Sequence, residues 1–66
     1  MITTIKSIIY YDKFNKILYK CFNDGDNQSH SEIIRYYSKY NIVELYINSK
    51  LIDILIFNSV TGSQIN

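Results

Sequence analysis

The sequence contains no proline, alanine or tryptophan, and among its 66 residues only two glycines, one cysteine and one histidine. Each shortage excludes something. Without proline there is no polyproline spacer and no collagen-like repeat. Cys21 alone forms no internal disulfide, and Cys21 with His30 is too few for a Cys/His zinc site. Charge of one sign is also missing: seven Lys and Arg face six Asp and Glu, for a net +1. That is neither the basic excess of a typical nucleic-acid binder nor the acidic excess of a DNA mimic. The longest strongly apolar run, residues 51–57, is broken by Asp53 and falls far short of the roughly 20 residues a membrane-spanning helix needs. A lysine in the first ten residues, with no small-residue cleavage site, argues against a secretory signal. A soluble, cytoplasmic protein is expected, its one unpaired thiol suiting a reducing interior.

What is present is greasy and small. The chain is 47% hydrophobic with seven tyrosines, and a folded chain of this length buries only about 60% of its unfolded surface. Disulfides, metals and partners are the usual supplements at this size, and the first two are excluded. A partner is expected. Ile, Asn, Lys, Tyr and Phe supply 36 of the 66 residues, whereas Arg occurs once. These are residues of AT-rich codons, which suits a low-GC bacterium, its phages and plasmids, or an archaeal virus. In size and composition the chain resembles the accessory proteins of phages and mobile elements, anti-CRISPR inhibitors among them.

Turn signals divide the chain into five elements. Residues 3–11 are β-branched and aromatic and predict a strand. Residues 12–15 predict a turn, with Asn15 in the left-handed conformation and a bulge in a three-residue loop. Residues 16–22 predict a second strand, ended by the polar stretch 23–27. Ser29-His30-Ser31-Glu32 has the form of a helix capping box. Ile33, Ile34, Tyr37 and Tyr40 share one arc at helical spacing, so residues 30–40 predict an amphipathic helix that stops at Asn41. Residues 42–48 and 51–57 are apolar runs of strand length, joined by a turn at Ser49-Lys50 that sets Leu45 opposite Ile54 and Val43 opposite Ile56. The expected fold is α+β: a ββαββ two-layer sandwich with one helix on one face of a four-stranded, antiparallel sheet. Residues 1–57 form the single domain and 58–66 a flexible tail.

In that fold Ile5, Ile9, Tyr11, Ile17, Tyr19 and Cys21 face the helix. Ile8, Tyr10, Leu18, Phe22, Ile42, Tyr46, Leu51, Leu55 and Phe57 crowd the far side, where nothing covers them. An open apolar face of that extent marks an interaction site, and tyrosine is favoured at interfaces. These nine residues are the expected partner-binding surface, for a second copy in a homodimer or for a foreign protein. The expected function is therefore that of a small non-enzymatic protein-binding module, a phage or mobile-element regulator or inhibitor that occludes a host protein surface. The alternative is a nucleic-acid-binding regulator whose Lys6, Lys16 and Lys20 lie beside Tyr10 and Phe22 as a stacking platform.

Chemistry is sparse. Asp24-Gly25-Asp26-Asn27 opens like a calcium loop, but Ser29 and Arg35 stand where an EF-hand needs Gly and Glu, so it reads as a polar turn. His30 has no second histidine or nucleophile beside it. Cys21 beside Lys20 reads as a small buried hydrophobe rather than a reactive thiol. No phosphate loop, nucleophile elbow or metalloprotease motif occurs. No enzyme, cofactor or metal is expected.

Overall fold

The structure, a computed structural model, describes residues 6–23 and 28–66. Five strands follow one another: β1 (Lys6–Asp12), β2 (Ile17–Asn23), β3 (Ser29–Tyr36), β4 (Tyr40–Ile47) and β5 (Lys50–Asn58). They form one antiparallel meander in the order β1-β2-β3-β4-β5. Every strand is built from Ile, Leu, Val, Tyr and Phe, residues that suit a pleated ribbon, and every connection between neighbours is local.

The expected helix over 30–40, and with it the α+β class, is overturned: there is no helix among the described residues, and the fold is all-β. Three local facts account for this. Ser29 does not cap a helix; its amide donates to Asn48 Oδ1 at 2.9 Å and its carbonyl accepts the Asn48 amide at 2.7 Å. Ile33, Ile34 and Tyr36 are poor helix formers, and an isolated helix shorter than about 12 residues is marginal in water. As a strand the segment is paired along both edges, with β2 and with β4. Tyr37 and Tyr40 instead flank the bend that joins β3 to β4: Tyr37 N donates to Tyr40 O at 3.0 Å, and the two ring centroids lie 5.1 Å apart.

Both outer hairpins differ from expectation. Asp12 pairs with Ile17 across the four-residue loop 13–16, and the positive φ falls on Lys16 (53°), not Asn15. The Asp12 carboxylate fixes that loop by accepting from the Phe14 and Asn15 amides and from Asn15 Nδ2. These bonds, the Asn15 side chain foremost, hold the Asp12 pKa below its ordinary value. The second hairpin turns at Asn48 and Ser49, both with positive φ, so that Ile47 pairs with Lys50. That is the two-residue turn favoured by the strand twist. A bulge between Leu45 and Tyr46 then sets Leu45 opposite Asp53 and Val43 opposite Leu55.

After β5 the chain reverses. Asn58 Oδ1 accepts from the Val60 and Thr61 amides, and Gly62 takes a left-handed φ of 76° with its amide on Asn58 O. Residues 63–66 then run back along the outer side of β5, bridging Gln64 to Phe57.

The sheet is one layer thick. Ile17, at 9% exposure, is the only buried hydrophobic residue among those described. The molecule measures 43 × 26 × 20 Å with a radius of gyration of 13.5 Å, where a compact chain of this length has about 11 Å.

Candidate functional site

Directly opposed residues in antiparallel strands point to the same side, so the register sorts the side chains into two faces. One carries Ile8 and Tyr10, then Ile17, Tyr19 and Cys21, then Ile33 and Arg35. Across β4 and β5 it continues with Ile42, Glu44, Tyr46, Leu51, Ile54 and Ile56. The other carries Ile9 and Tyr11, Leu18, Lys20 and Phe22, then Glu32, Ile34 and Tyr36. Its far half holds Val43, Leu45 and Ile47 against Asp53, Leu55 and Phe57. We refer to them as the Arg35 face and the Lys20 face.

The nine expected partner-binding residues are divided between them. Ile8, Tyr10, Ile42, Tyr46 and Leu51 come together on the Arg35 face, whereas Leu18, Phe22, Leu55 and Phe57 lie on the Lys20 face. Of the lysines singled out as an alternative, Lys16 sits in the β1–β2 loop, and Lys20 shares its face with Phe22 but not with Tyr10. Lys6 begins β1. Cys21 is free and exposed rather than buried, because the helix meant to cover it is a strand in the same sheet. Ile5 and the polar turn from Asp24 to Asn27 lie outside the described residues.

The polar centre of the Arg35 face is a cluster the sequence did not announce. Arg35 Nε donates to Glu44 Oε1 at 3.2 Å, and the Tyr46 hydroxyl donates to the same oxygen at 3.3 Å. The Glu44 side chain is 17% exposed and that of Arg35 38%. This is the only ion pair found among the described residues, and it leaves the middle of a broad apolar surface electrically balanced. Around it Tyr10 stacks on Tyr19 with ring centroids 4.6 Å apart and planes 14° off parallel. The only route to this cluster from sequence was the register, since Arg35 and Glu44 are nine residues apart and look like separate surface charges.

Dehydration, followed by the Glu44 carboxylate, raises the Tyr46 pKa above its ordinary value near 10, with Arg35 opposing. The phenol therefore stays neutral in the folded chain at a pH where the unfolded chain has begun to ionise. The stability this contributes is complete below about pH 10 and is lost as the pH rises through the folded pKa. Tyr46→Phe is expected to soften the alkaline fall in stability, read from urea midpoints across the alkaline range. If the fall is as steep in that variant as in the wild type, the cluster is not as described.

The Lys20 face has a depression of about 190 Å³ between Phe22, His30, Glu32, Leu45, Ile47 and Ile52. Sites for small organic ligands typically span about 300–1,000 Å³, so this hollow suits one apolar side chain at most. No group of three or more His, Cys, Asp and Glu able to hold a metal occurs among the described residues. Nor does any helix long and apolar enough to cross a membrane. Comparison of the chain with protein-family models, with characterised proteins and with solved structures returns no match, so the reading of this surface rests on its own geometry.

Proposed function

We propose that the protein is a non-enzymatic binding module that works by laying the Arg35 face of its sheet against a protein target. The observation that carries this reading is the exposure of large apolar residues on a folded chain, among them Ile8, Tyr10, Leu51 and Ile54 at 54%, 54%, 44% and 42%. The accessible area is 5223 Å², whereas a compact monomer of 7.8 kDa exposes about 4,400 Å². By that scaling the excess over the whole chain, both faces together, is roughly 820 Å², of the order of the ~800 Å² that each partner contributes to an interface of standard size. The Arg35 face suits dehydration better than the Lys20 face, because its central charges already neutralise each other while Lys20, Glu32 and Asp53 stud the other side. In concrete form, size and AT-rich coding favour an inhibitor carried by a phage or mobile element, acting in the cytosol by occluding a surface of a host machine.

The test is affinity capture from nuclease-treated cytosol of a low-GC host, with wild type, Tyr10→Glu and Phe14→Glu compared. One protein is expected at a fixed ratio with wild type and Phe14→Glu, since Phe14 stands wholly exposed at the tip of a hairpin, and absent with Tyr10→Glu. Salt-sensitive retention on single-stranded nucleic acid, with no protein captured, would replace this reading by the nucleic-acid one.

A further inference from the structure

The two edges of the sheet are treated differently. Along the second half of β5, from Ile54 to Asn58, outward groups are occupied by the returning chain: Ile65 N donates to Ile56 O at 2.7 Å and Asn58 N to Ser63 O at 2.8 Å. The Asn66 side chain acts as a further peptide group, accepting from Ile56 N and donating to Ile54 O, both at 2.9 Å. Along β1 no described residue pairs with the outer side. Exposed edges in soluble proteins are normally blunted by charge, proline or a bulge. From Ser7 to Tyr11 this one has none of these, and Ile8, Ile9, Tyr10 and Tyr11 are 54%, 59%, 54% and 47% exposed.

We propose that β1 pairs antiparallel with β1 of a second copy about a two-fold axis at Ile9, joining two sheets into one of ten strands. The choice of occupant follows from the strand's own symmetry. A two-fold axis normal to the sheet sets residues of like parity opposite one another. Centred on Ile9 it places Ser7 opposite Tyr11, Ile8 opposite Tyr10 and Ile9 opposite itself. Centring on Ile8 or Tyr10 shortens the overlap of the described strand from seven residues to five. The union also closes. Once the two β1 edges are joined, the outer edges of the ten-stranded sheet are both β5, whose half from Ile54 to Asn58 is already covered by residues 63–66, which opposes growth beyond two copies. This pairing goes beyond the binding function proposed above and does not depend on it, because β1 joins at its edge and leaves both faces open.

Sedimentation equilibrium and light scattering should give twice the mass of 7.8 kDa for the wild type. Ile9→Lys and Ile9→Glu should each be folded by circular dichroism yet monomeric, since each sets like charges face to face at the axis. An equimolar mixture of the two should recover the doubled mass as a heterodimer by native mass spectrometry. A second, fold-neutral readout uses Ile9→Cys in a Cys21→Ser background. Opposed Cα atoms lie about 4.5–5.5 Å apart, within disulfide reach, so oxidation should yield a cross-linked dimer, whereas Ile8→Cys should not. A wild type that stays monomeric up to its solubility limit overturns the proposal, as does a mixture of charge variants that fails to pair or an Ile9→Cys chain that fails to cross-link. A monomer that still captures its target by the Arg35 face overturns the pairing alone. A dimer indifferent to Tyr10→Glu in target capture overturns the binding reading alone.

Discussion

Ile17→Ala is expected to cost about 2 kcal/mol, the lower end for deleting a buried branched side chain, and to lower the urea midpoint by a substantial part of its value. Ile17 sits between Asp12 of β1 and Arg35 of β3, at the corner where the first loop closes and where Tyr36 N donates to Lys16 O at 2.9 Å. It is the most fully buried hydrophobic residue among those described. A chain of 66 residues has of order 3–10 kcal/mol of stability in all, so this single loss is a substantial part of it. Phe14→Ala, at a side chain 100% exposed, should change stability by no more than about 0.5 kcal/mol. Urea midpoints of the two variants decide the point. Equal effects would mean that the packing centre lies elsewhere.

The second large effect concerns association rather than stability. A chain ending at Asn58 loses the bonds that Ser63, Ile65 and Asn66 make to the outer side of β5. Each is worth only about 0.5–1.5 kcal/mol net. What their loss uncovers is a second apolar edge, Ile54 to Phe57, on a sheet that already has one. Two open edges on one molecule allow strand addition without end. The truncated chain is expected to form growing oligomers, read as rising light scattering and dye-positive fibrils, where the full chain keeps a fixed size. Asn66→Ala should produce a milder form of the same behaviour, because the side chain that stands in for a peptide group is lost while the Ile65 and Ser63 bonds remain. A truncated chain as well behaved as the full one would show that β5 needs no cover.

Strand positions were legible where composition and turn chemistry agreed. β1, β2, β4 and β5 lie close to where β-branched and aromatic runs put them. β3 was misread because the Ser29–Glu32 capping pattern and the spacing of Tyr37 and Tyr40 both imitate a helix; the decisive partner, Asn48, is nineteen residues away from Ser29 in sequence. The registers were misread for a different reason. In a sheet with one buried face, setting Leu45 opposite Asp53 and Glu44 opposite Ile54 is disfavoured, since a buried face excludes unpaired charge. In this sheet neither face is buried, Asp53 is exposed, and the turn at Asn48 and Ser49 together with the bulge between Leu45 and Tyr46 sets the register instead. A one-residue slip moves every side chain to the other face, and so the nine expected interface residues were divided. That an apolar face lay uncovered was readable from the amount of Ile and Tyr; that there are two such faces was not, since it needed the missing helix.

A ribbon one layer thick also has an unusual thermal character. The heat-capacity change on unfolding scales with the apolar surface newly wetted, and here Ile8, Ile9, Tyr10 and Ile52 keep more than half of theirs in water in the folded chain. The lone chain is therefore expected to melt less steeply than a compact chain of its length, with a shallower dependence of its free energy on temperature and on denaturant. The melt should steepen when something dry is laid against the sheet, so the steepness of the transition is itself a gauge of how fully the ribbon is covered.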